Sequence, residues 1–583
     1  MPRTRRVRGR NAVAEGAARR RDLHAQDRTA PHWALDYARR LADRHPPHHR
    51  ILIQTSMSPT GYFHVGNFRD TVCAHLVHRA LARMGRRSAI LLSFDDYDPV
   101  RESQAARDPE LAGQGGRPLA AHRERATRIC RAYLAELRAT GILPDGADAD
   151  GRMPPGGAWE THYQYERYRA GIYREIQRRY QRDAGRLAEL LGKADGRDLF
   201  AVYCLQCGRG TTEIHRLGAA SAHYHCRSCG ARLTVTEPEH VKPSWALDWT
   251  LRVAHEGIDC EPAGQDHCSA GSTMDRTRPV YDGYLGLAQP VIVPYGLVRG
   301  ERGTGKISGS SGDGPYVRDL LAVHPAPMVL WLYARRNCLS DLRIGFGADV
   351  FFGAYDAFDR FLRTVPGDAR ARVLWELLSD EDPAPRAALP RMRSVVGALY
   401  AHGGDPDAAL AHLARRHRDC DRELLAERVA HAGAWLATHG AGRYWGEAGP
   451  AAAPGPAVDV LIEQLRTHTG PGAPRADRTA AEFREIYRAL FGTERGPRLD
   501  TLVDALTPRA VADALTAFRD RGERPLWTGL FASAGPPAPH QPASVSAPVP
   551  QEAVPQEAVP QEAVPQENVP QEAVRQEDAV RAS

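Results

Sequence analysis

Lysine is almost absent from this 583-residue chain: of its 77 basic side chains only Lys193, Lys242 and Lys306 are lysine, the other 74 being arginine. A surface role for a cation passes readily to arginine, whereas a position that needs a compact ammonium on a flexible stem does not. Each surviving lysine therefore marks a question about local chemistry. Long apolar runs are also missing, and without a stretch of about 18 such residues no ordinary membrane-spanning helix is expected. The N-terminus has no apolar export segment. Its arginines, Arg3, Arg5, Arg6, Arg8, Arg10 and Arg19 to Arg21, have too few serine and apolar companions to read as an organelle address. We expect a cytoplasmic protein without membrane contact. Cysteine is sparse, ten in all, and four of these fall in two Cys-x-x-Cys pairs. That usage argues against a disulfide framework and for metal binding in a reducing compartment.

What is present suggests several units, roughly three or four at about 150 residues each. The net charge of +6 suits a polyanionic partner such as nucleic acid. Residues 1–30 lack periodicity and read as a disordered basic arm. Residues 536–583 carry Pro-Gln-Glu-Ala-Val repeats from Pro550 to Val574, with Asn568 in place of one alanine. A proline every five residues prevents a packed core, so this is an extended, disordered tail.

Residues 31–345 alternate strand-like and helical patterns. Ile51-Leu52-Ile53 is a first buried strand, Phe68, Val72, Leu76, Ala80 and Met84 recur every four residues, and Ser88 to Phe94 is a second strand. This is a βαβ unit with parallel strands, whose ligands bind beyond the strands' carboxyl ends. Residues 346–535 turn to helical segments dominated by Arg, Ala and Leu, as in Arg422 to His439, and form a separate helical domain.

The loop after the first strand, Ser56 to Asn67, ends in His64-Val65-Gly66-Asn67 at the mouth of a helix. Unpaired N–H groups there suit phosphate oxygens. Gly66 leaves room for adenine or ribose against the backbone, and His64 can donate to the phosphates as charge develops. Far downstream, Gly305-Lys306-Ile307-Ser308-Gly309-Ser310-Ser311-Gly312 follows the strand-like Val291 to Tyr295. A loop of small residues with one lysine and three serines can close on a polyphosphate and stabilise departing pyrophosphate.

This pair resembles the HIGH and KMSKS signatures of class I aminoacyl-tRNA synthetases, and the sequence between them resembles the class I lysyl-tRNA synthetase family. The similar stretches are Ser58 to Asn67, Asp95-Asp96-Tyr97-Asp98-Pro99, Trp245-Ala246-Leu247-Asp248-Trp249, Glu261 to His267 and the Lys306 loop, in family order over roughly residues 32–365. The resemblance implies a Rossmann-like α/β catalytic domain over 31–345 with a zinc-knuckle insertion at 101–240, then an all-α anticodon-binding domain over 346–535. It implies ATP contacts from Pro59, Gly61, His64, Gly66, Asn67, Lys306, Ser308 and Ser310, with His64, Asn67 and Lys306 catalytic and a magnesium ion assisting. For the amino acid it carries over Ser58, Trp245, His267 and Tyr295. Asp98, Asp248 and Asp266 are candidate counter-charges to a lysine ammonium.

Three positions depart from the family. Ser56, in the lysine pocket, stands where glycine is more frequent, Ile307 replaces methionine, and Ser311 stands where the loop carries a second lysine. A missing charge-assisted contact costs about 1.5 to 3 kcal/mol unless Arg299 or Arg302 compensates. The implied activity is that of a monomeric lysine–tRNA ligase, which activates L-lysine with ATP and esterifies it to tRNA(Lys). The Ser311 departure keeps a second reading open, a weakened paralogue acting in tRNA binding, regulation or secondary metabolism.

Cys204-x-x-Cys207 and Cys226-x-x-Cys229 have the spacing of a four-thiolate zinc site at 204–229, and Gly208 and Gly230 permit the tight turns. Four thiolates leave no open position, so this zinc would be structural. His225 is a bystander, and His122, alone in a helical stretch, makes no second site.

Overall fold

The computed structural model of the chain describes residues 30–148, 152–301, 314–439, 455–470, 472–474, 477–494, 496 and 498–523. The basic arm to residue 29, the repeat tail, and Lys306, Ile307, Ser308, Ser310 and Ser311 lie outside the described residues, as does all of a second unit, Gly535–Ser583.

Helix α1 (Trp33–Arg44) leads into strand β1 (Ile51–Met57), helix α2 (Val65–Arg83) and strand β2 (Ser88–Phe94). β1 and β2 run parallel, Ile51 opposite Ser88 and Met57 opposite Phe94, so the expected βαβ unit forms. On α2, Phe68, Val72, Leu76 and Ala80 are all buried, because residues four apart share one helix face. Met84 leaves the series. The helix ends at Arg83, and Met84 is its 39% exposed C-cap, ahead of Gly85 with φ 71°.

Helix α3 (Arg123–Ala139) precedes strand β3 (Trp159–Tyr163), which pairs in parallel with β2. The stretch 101–240 is therefore not peripheral throughout, as its reading as an insertion requires. β3 extends the main sheet, and Ile129, Tyr133, Leu134 and Leu137 of α3 join the main core. What stands apart begins after β3. There β4 (Phe200–Val202) pairs antiparallel with β8 (Val241–Pro243), while β5 (Thr212–Leu217), β6 (Ala222–Cys226) and β7 (Arg232–Val235) form their own antiparallel sheet. The core here is rich in tyrosine, with Tyr97, Tyr168, Tyr173, Tyr180 and Tyr224 buried.

Helix α4 (Trp245–Glu256) returns the chain to the main sheet, which β9 (Cys260–Gly264) and β10 (Val291–Tyr295) complete in the order β10-β9-β1-β2-β3. All neighbours are parallel. Pro294 is tolerated in β10 because that strand lies at the sheet edge. Met57, Phe94, Tyr163, Gly264 and Tyr295 thus end their strands along one rim. The strand order reverses at β1, flanked by β2 and β9, and at such a switch point a crevice opens for ligands.

From Ala348 onward the described chain is helical, including Ala348–Thr364, Arg422–His439 and Pro508–Arg521. The change of pattern at residue 346 is not a break in packing. Trp331 packs on Phe358 and Phe361, ring centroids 5.3 and 5.7 Å apart, and one core runs from the sheet to Phe518. The fold is α/β with a parallel sheet, followed by helices. Among the described residues no helix is long and apolar enough to cross a membrane.

Candidate active site

His64 caps α2. Its Nδ1 accepts the Gly66 N–H at 2.9 Å, and its own N–H donates to Asn67 Oδ1 at 3.2 Å, a reciprocal capping box. Because Nδ1 accepts, the proton of the neutral ring sits on Nε2, where it is a donor. The first backbone donors of α2 are used internally: Val65 N–H reaches Pro315 O at 3.0 Å and Asn67 N–H reaches His64 O at 2.9 Å. The unpaired N–H groups expected at this helix mouth are therefore satisfied within the chain. What remains for an anion is the helix dipole and side-chain donors. The loop before the helix is pinned by Arg125 of α3, which donates to Pro59 O at 3.4 Å, Thr60 O at 3.0 Å and Asp108. A Cβ at Gly61 would meet nothing within 4 Å, so that position faces open space.

Both flanks of residues 302–313 are tied to α2. Upstream, buried Arg69 donates to the carbonyls of Gly296, Leu297, Cys338 and Ser340 at 2.7 to 3.1 Å. Downstream, Tyr316 forms a β-bridge with His64 beside the Pro315 contact. The described chain thus resumes beside His64, whereas upstream it ends at Glu301, whose carboxylate accepts the Gly347 N–H at 2.9 Å.

The expected counter-charges Asp98 and Asp248 are already engaged. Ser58 Oγ donates to Asp98 at 3.1 Å; Lys242 Nζ lies 3.6 Å from Asp98 and 3.0 Å from Asp248; Arg252 reaches Asp248 at 3.3 Å and Asp95 at 2.5 Å. Tyr168 OH also donates to Asp248, and the Lys242 ammonium stands over the rings of Tyr97 and Tyr168 at 5.5 and 5.1 Å. Burial opposes ionisation of Asp248, but Arg252 and Lys242 outweigh it and hold the carboxyl below its usual range. These acids form an alternating-charge chain from β8 to the Ser58 loop.

A different acid, absent from the sequence reading, faces the switch point. Asp70 of α2 accepts from Thr55 Oγ1 at 2.5 Å and Tyr295 OH at 3.0 Å, so β1 and β10 both position it. No ion pair to Asp70 is found among the described residues, and burial lifts its pKa to about 7. By residue surface Asp70 is half-buried. Beside it, Glu261 accepts from Gln54 Nε2 at 3.2 Å and Trp249 Nε1 at 2.8 Å and is pushed up to about 8 by burial. Ser56 Oγ is buried without a hydrogen-bond partner. Trp245, 41% exposed, stacks on Trp249 with centroids 6.3 Å apart. Asp266 and His267 are exposed on the helical turn Gln265–Cys268 that follows β9, and His267 Nδ1 lies 3.1 Å from Thr273 Oγ1.

The four knuckle cysteines converge. Cys204 and Cys229 sulfurs are 3.7 Å apart, Cys207 and Cys226 sulfurs 3.6 Å, and all four lie within 4.8 Å of one another. Tetrahedral zinc with Zn–S near 2.3 Å separates its sulfurs by about 3.8 Å, so the donor set fits. Gly208 and Gly230 take φ of 72° and 76°, closing each Cys-x-x-Cys turn.

A parallel five-stranded sheet thus carries a histidine-capped helix at its switch point. The family "tRNA synthetases class I (K)" matches residues 31–121 and 156–379, more than half of the chain, which belongs to this family. Family membership implies ATP, an amino acid and tRNA as partners. Among curated proteins, the lysine–tRNA ligase of Pyrococcus horikoshii is 27% identical over 378 residues, covering 60% of this chain and 69% of that protein. That of Treponema pallidum is 25% identical over 520 residues, covering 80% and 95%. A solved glutamate–tRNA ligase of Elizabethkingia meningosepticum aligns over 81% of this chain and 100% of its own at 13% identity, with a TM-score of 0.38.

Proposed function

We propose that the chain is a lysyl-tRNA synthetase. Asp70 carries this reading: a carboxyl without a cation among the described residues, held by two hydroxyls at the switch point, suits a substrate ammonium. Ser56, Ser58, Trp245, Asp266, His267 and Tyr295 remain the proposed surroundings of the amino acid. Asp98 and Asp248 are proposed instead to position the Ser58 loop through Lys242. Residues 31–345 form the proposed catalytic domain and 346–535 the anticodon-binding domain.

In the first step a lysine carboxylate oxygen attacks the ATP α-phosphorus and pyrophosphate leaves. In the second a terminal ribose hydroxyl of tRNA attacks the lysyl carbonyl and AMP leaves. The chain needs to supply little acid–base chemistry. His64 Nε2–H and Lys306 stabilise the charge that develops on the phosphates, and a magnesium ion, when bound with ATP, would add positive charge near the leaving group. Pro59, Gly61, Gly66, Asn67, Ser308 and Ser310 shape the nucleotide's surroundings. The test is ATP–pyrophosphate exchange with purified protein, using arginine and ornithine as controls. Exchange with lysine alone supports the proposal. A better response to another amino acid overturns the substrate, and no exchange at all favours the regulatory paralogue that Ser311 leaves open.

Asp70 gives the reading a pH signature. An ammonium binds its ionised form, which burial disfavours below about pH 7. Lysine affinity is expected to rise about tenfold from pH 6 to pH 8 and then level off, as calorimetric titration would measure. A flat profile across that range removes Asp70 from the ammonium site. Its neighbour Glu261, pushed up to about 8, can only extend the rise to higher pH.

Zinc at the four cysteines is part of the proposal, supported by the sulfur spacing. Cys204→Ser is expected to release the metal and to depress tRNA charging more than adenylation, since structural metal binding is coupled to folding. Metal analysis of freshly purified wild type should return about one equivalent for this site; well under half an equivalent sinks the claim.

A further inference from the structure

At the opposite rim of the sheet, where β1 and β9 begin, three metal-ligating side chains meet. The turn after α1 reads His45-Pro46-Pro47-His48-His49, and Asp259 directly precedes β9. His45 Nε2 lies 3.3 Å from one Asp259 oxygen and His49 Nε2 2.9 Å from the other. The three ligand atoms are all within 4.8 Å of one another.

The surrounding chain holds them in place. Asp259 Oδ2 also accepts the Leu52 N–H at 2.9 Å, which orients the carboxylate against β1. Arg86 donates to the carbonyls of Ala42, His45 and Pro46, and the His49 N–H closes on Pro46 O at 3.0 Å, so the double-proline turn is clamped. His45 Nε2 is buried and makes no hydrogen bond, although it stands beside a carboxylate oxygen. An imidazole nitrogen that faces a carboxylate oxygen without a hydrogen bond is an arrangement that a shared cation satisfies.

We propose that His45, His49 and Asp259 form a second metal site, for a divalent transition cation of the zinc, cobalt or nickel kind. Two imidazoles and one carboxylate select such ions over magnesium or calcium, which prefer oxygen ligands throughout. Tetrahedral coordination by these ligands at about 2.0 to 2.2 Å separates neighbouring donors by about 3.3 to 3.6 Å, within a small adjustment of the distances here. The ion would clip the turn after α1 to the entry of β9, 210 residues away between His49 and Asp259. Three protein ligands leave one position for water.

Full-length protein, stripped with a chelator and titrated with Co2+, separates this site from the cysteine cluster. Thiolate ligation gives intense charge-transfer absorption, whereas a two-histidine, one-carboxylate site gives only weak d–d bands. Wild type is expected to show a d–d-only equivalent that raises the melting temperature. His49→Gln, at a side chain 36% exposed, should weaken that equivalent by about 100-fold while any thiolate signal stays unchanged. His45→Gln should do the same. The chelated melting temperature of His49→Gln should match chelated wild type, which separates ligand loss from misfolding. A wild type with no cobalt equivalent beyond the thiolate one, or a His49→Gln protein that keeps the d–d equivalent at wild-type affinity, overturns the site and leaves a plain histidine–aspartate pair.

Discussion

Lys306→Ala is expected to lower lysine-dependent pyrophosphate exchange by about 100-fold or more while leaving lysine affinity nearly unchanged. The placement of its flanks is the structural reason. The described chain stops at Glu301 and resumes at Gly314, and both sides are fastened to α2, through Arg69 to Gly296 and Leu297 and through Val65 to Pro315. The chain resumes beside the His64–Tyr316 bridge, and we propose that Lys306, shortly upstream in sequence, acts on the phosphates of a nucleotide bound there. With the first-turn N–H groups of α2 occupied by His64 and Pro315, side-chain donors carry more of the phosphate charge. An ammonium that tightens on the leaving pyrophosphate contributes mainly in the transition state, so rate falls and ground-state binding does not. An exchange rate equal to wild type would make the segment a structural connector. Lys306→Arg is the companion measurement: it keeps charge but changes shape, and partial activity would assign the effect to charge.

The sequence was most legible where periodicity and burial coincide. Ser88 to Phe94 reads as a strand and is one, because six of its seven residues are buried and only Ser93 among those six is polar. Trp159-Glu160-Thr161-His162-Tyr163 is also a strand, yet it sits at the sheet edge with only its two ends buried, so nothing in its composition announces it. The charge chain was half legible. Asp248 and Arg252 are four apart on α4, a spacing that pairs them by helix geometry alone. Lys242 and Asp98 meet only because β8 returns beside the Ser58 loop, although the rarity of lysine marks Lys242 as a residue that arginine did not replace. Asp70 gave no signal. One acid on a helix looks solvated until β1 and β10 are seen to bring Thr55 and Tyr295 to it.

Asp70→Asn is expected to lower kcat/KM for lysine by about 100-fold and to leave the KM for ATP unchanged. The substitution keeps the size of the side chain and its capacity to bond Thr55 and Tyr295, and removes only the charge. A hydrogen bond to a charged partner contributes about 1.5 to 3 kcal/mol, equivalent to roughly one to two decades, and low local polarity places Asp70 toward the upper end. The dependence of lysine affinity on pH between about 6 and 8 should vanish with it, which a merely structural role would not produce. Stability separates the two explanations further. The folded-state pKa of Asp70 is raised to about 7, so its contribution to stability is full below the ordinary carboxylate range and is lost as pH rises through 7. At pH 8 the asparagine variant should therefore melt no lower than wild type in the absence of lysine, and only the lysine-induced rise in melting temperature should shrink. Asp248→Asn provides the opposite case, because Lys242 and Arg252 would be left buried with less than their counter-charge, at a cost of about 3 to 5 kcal/mol. If Asp70→Asn melts like Asp248→Asn, or keeps wild-type lysine kinetics, the ammonium is held elsewhere in the crevice.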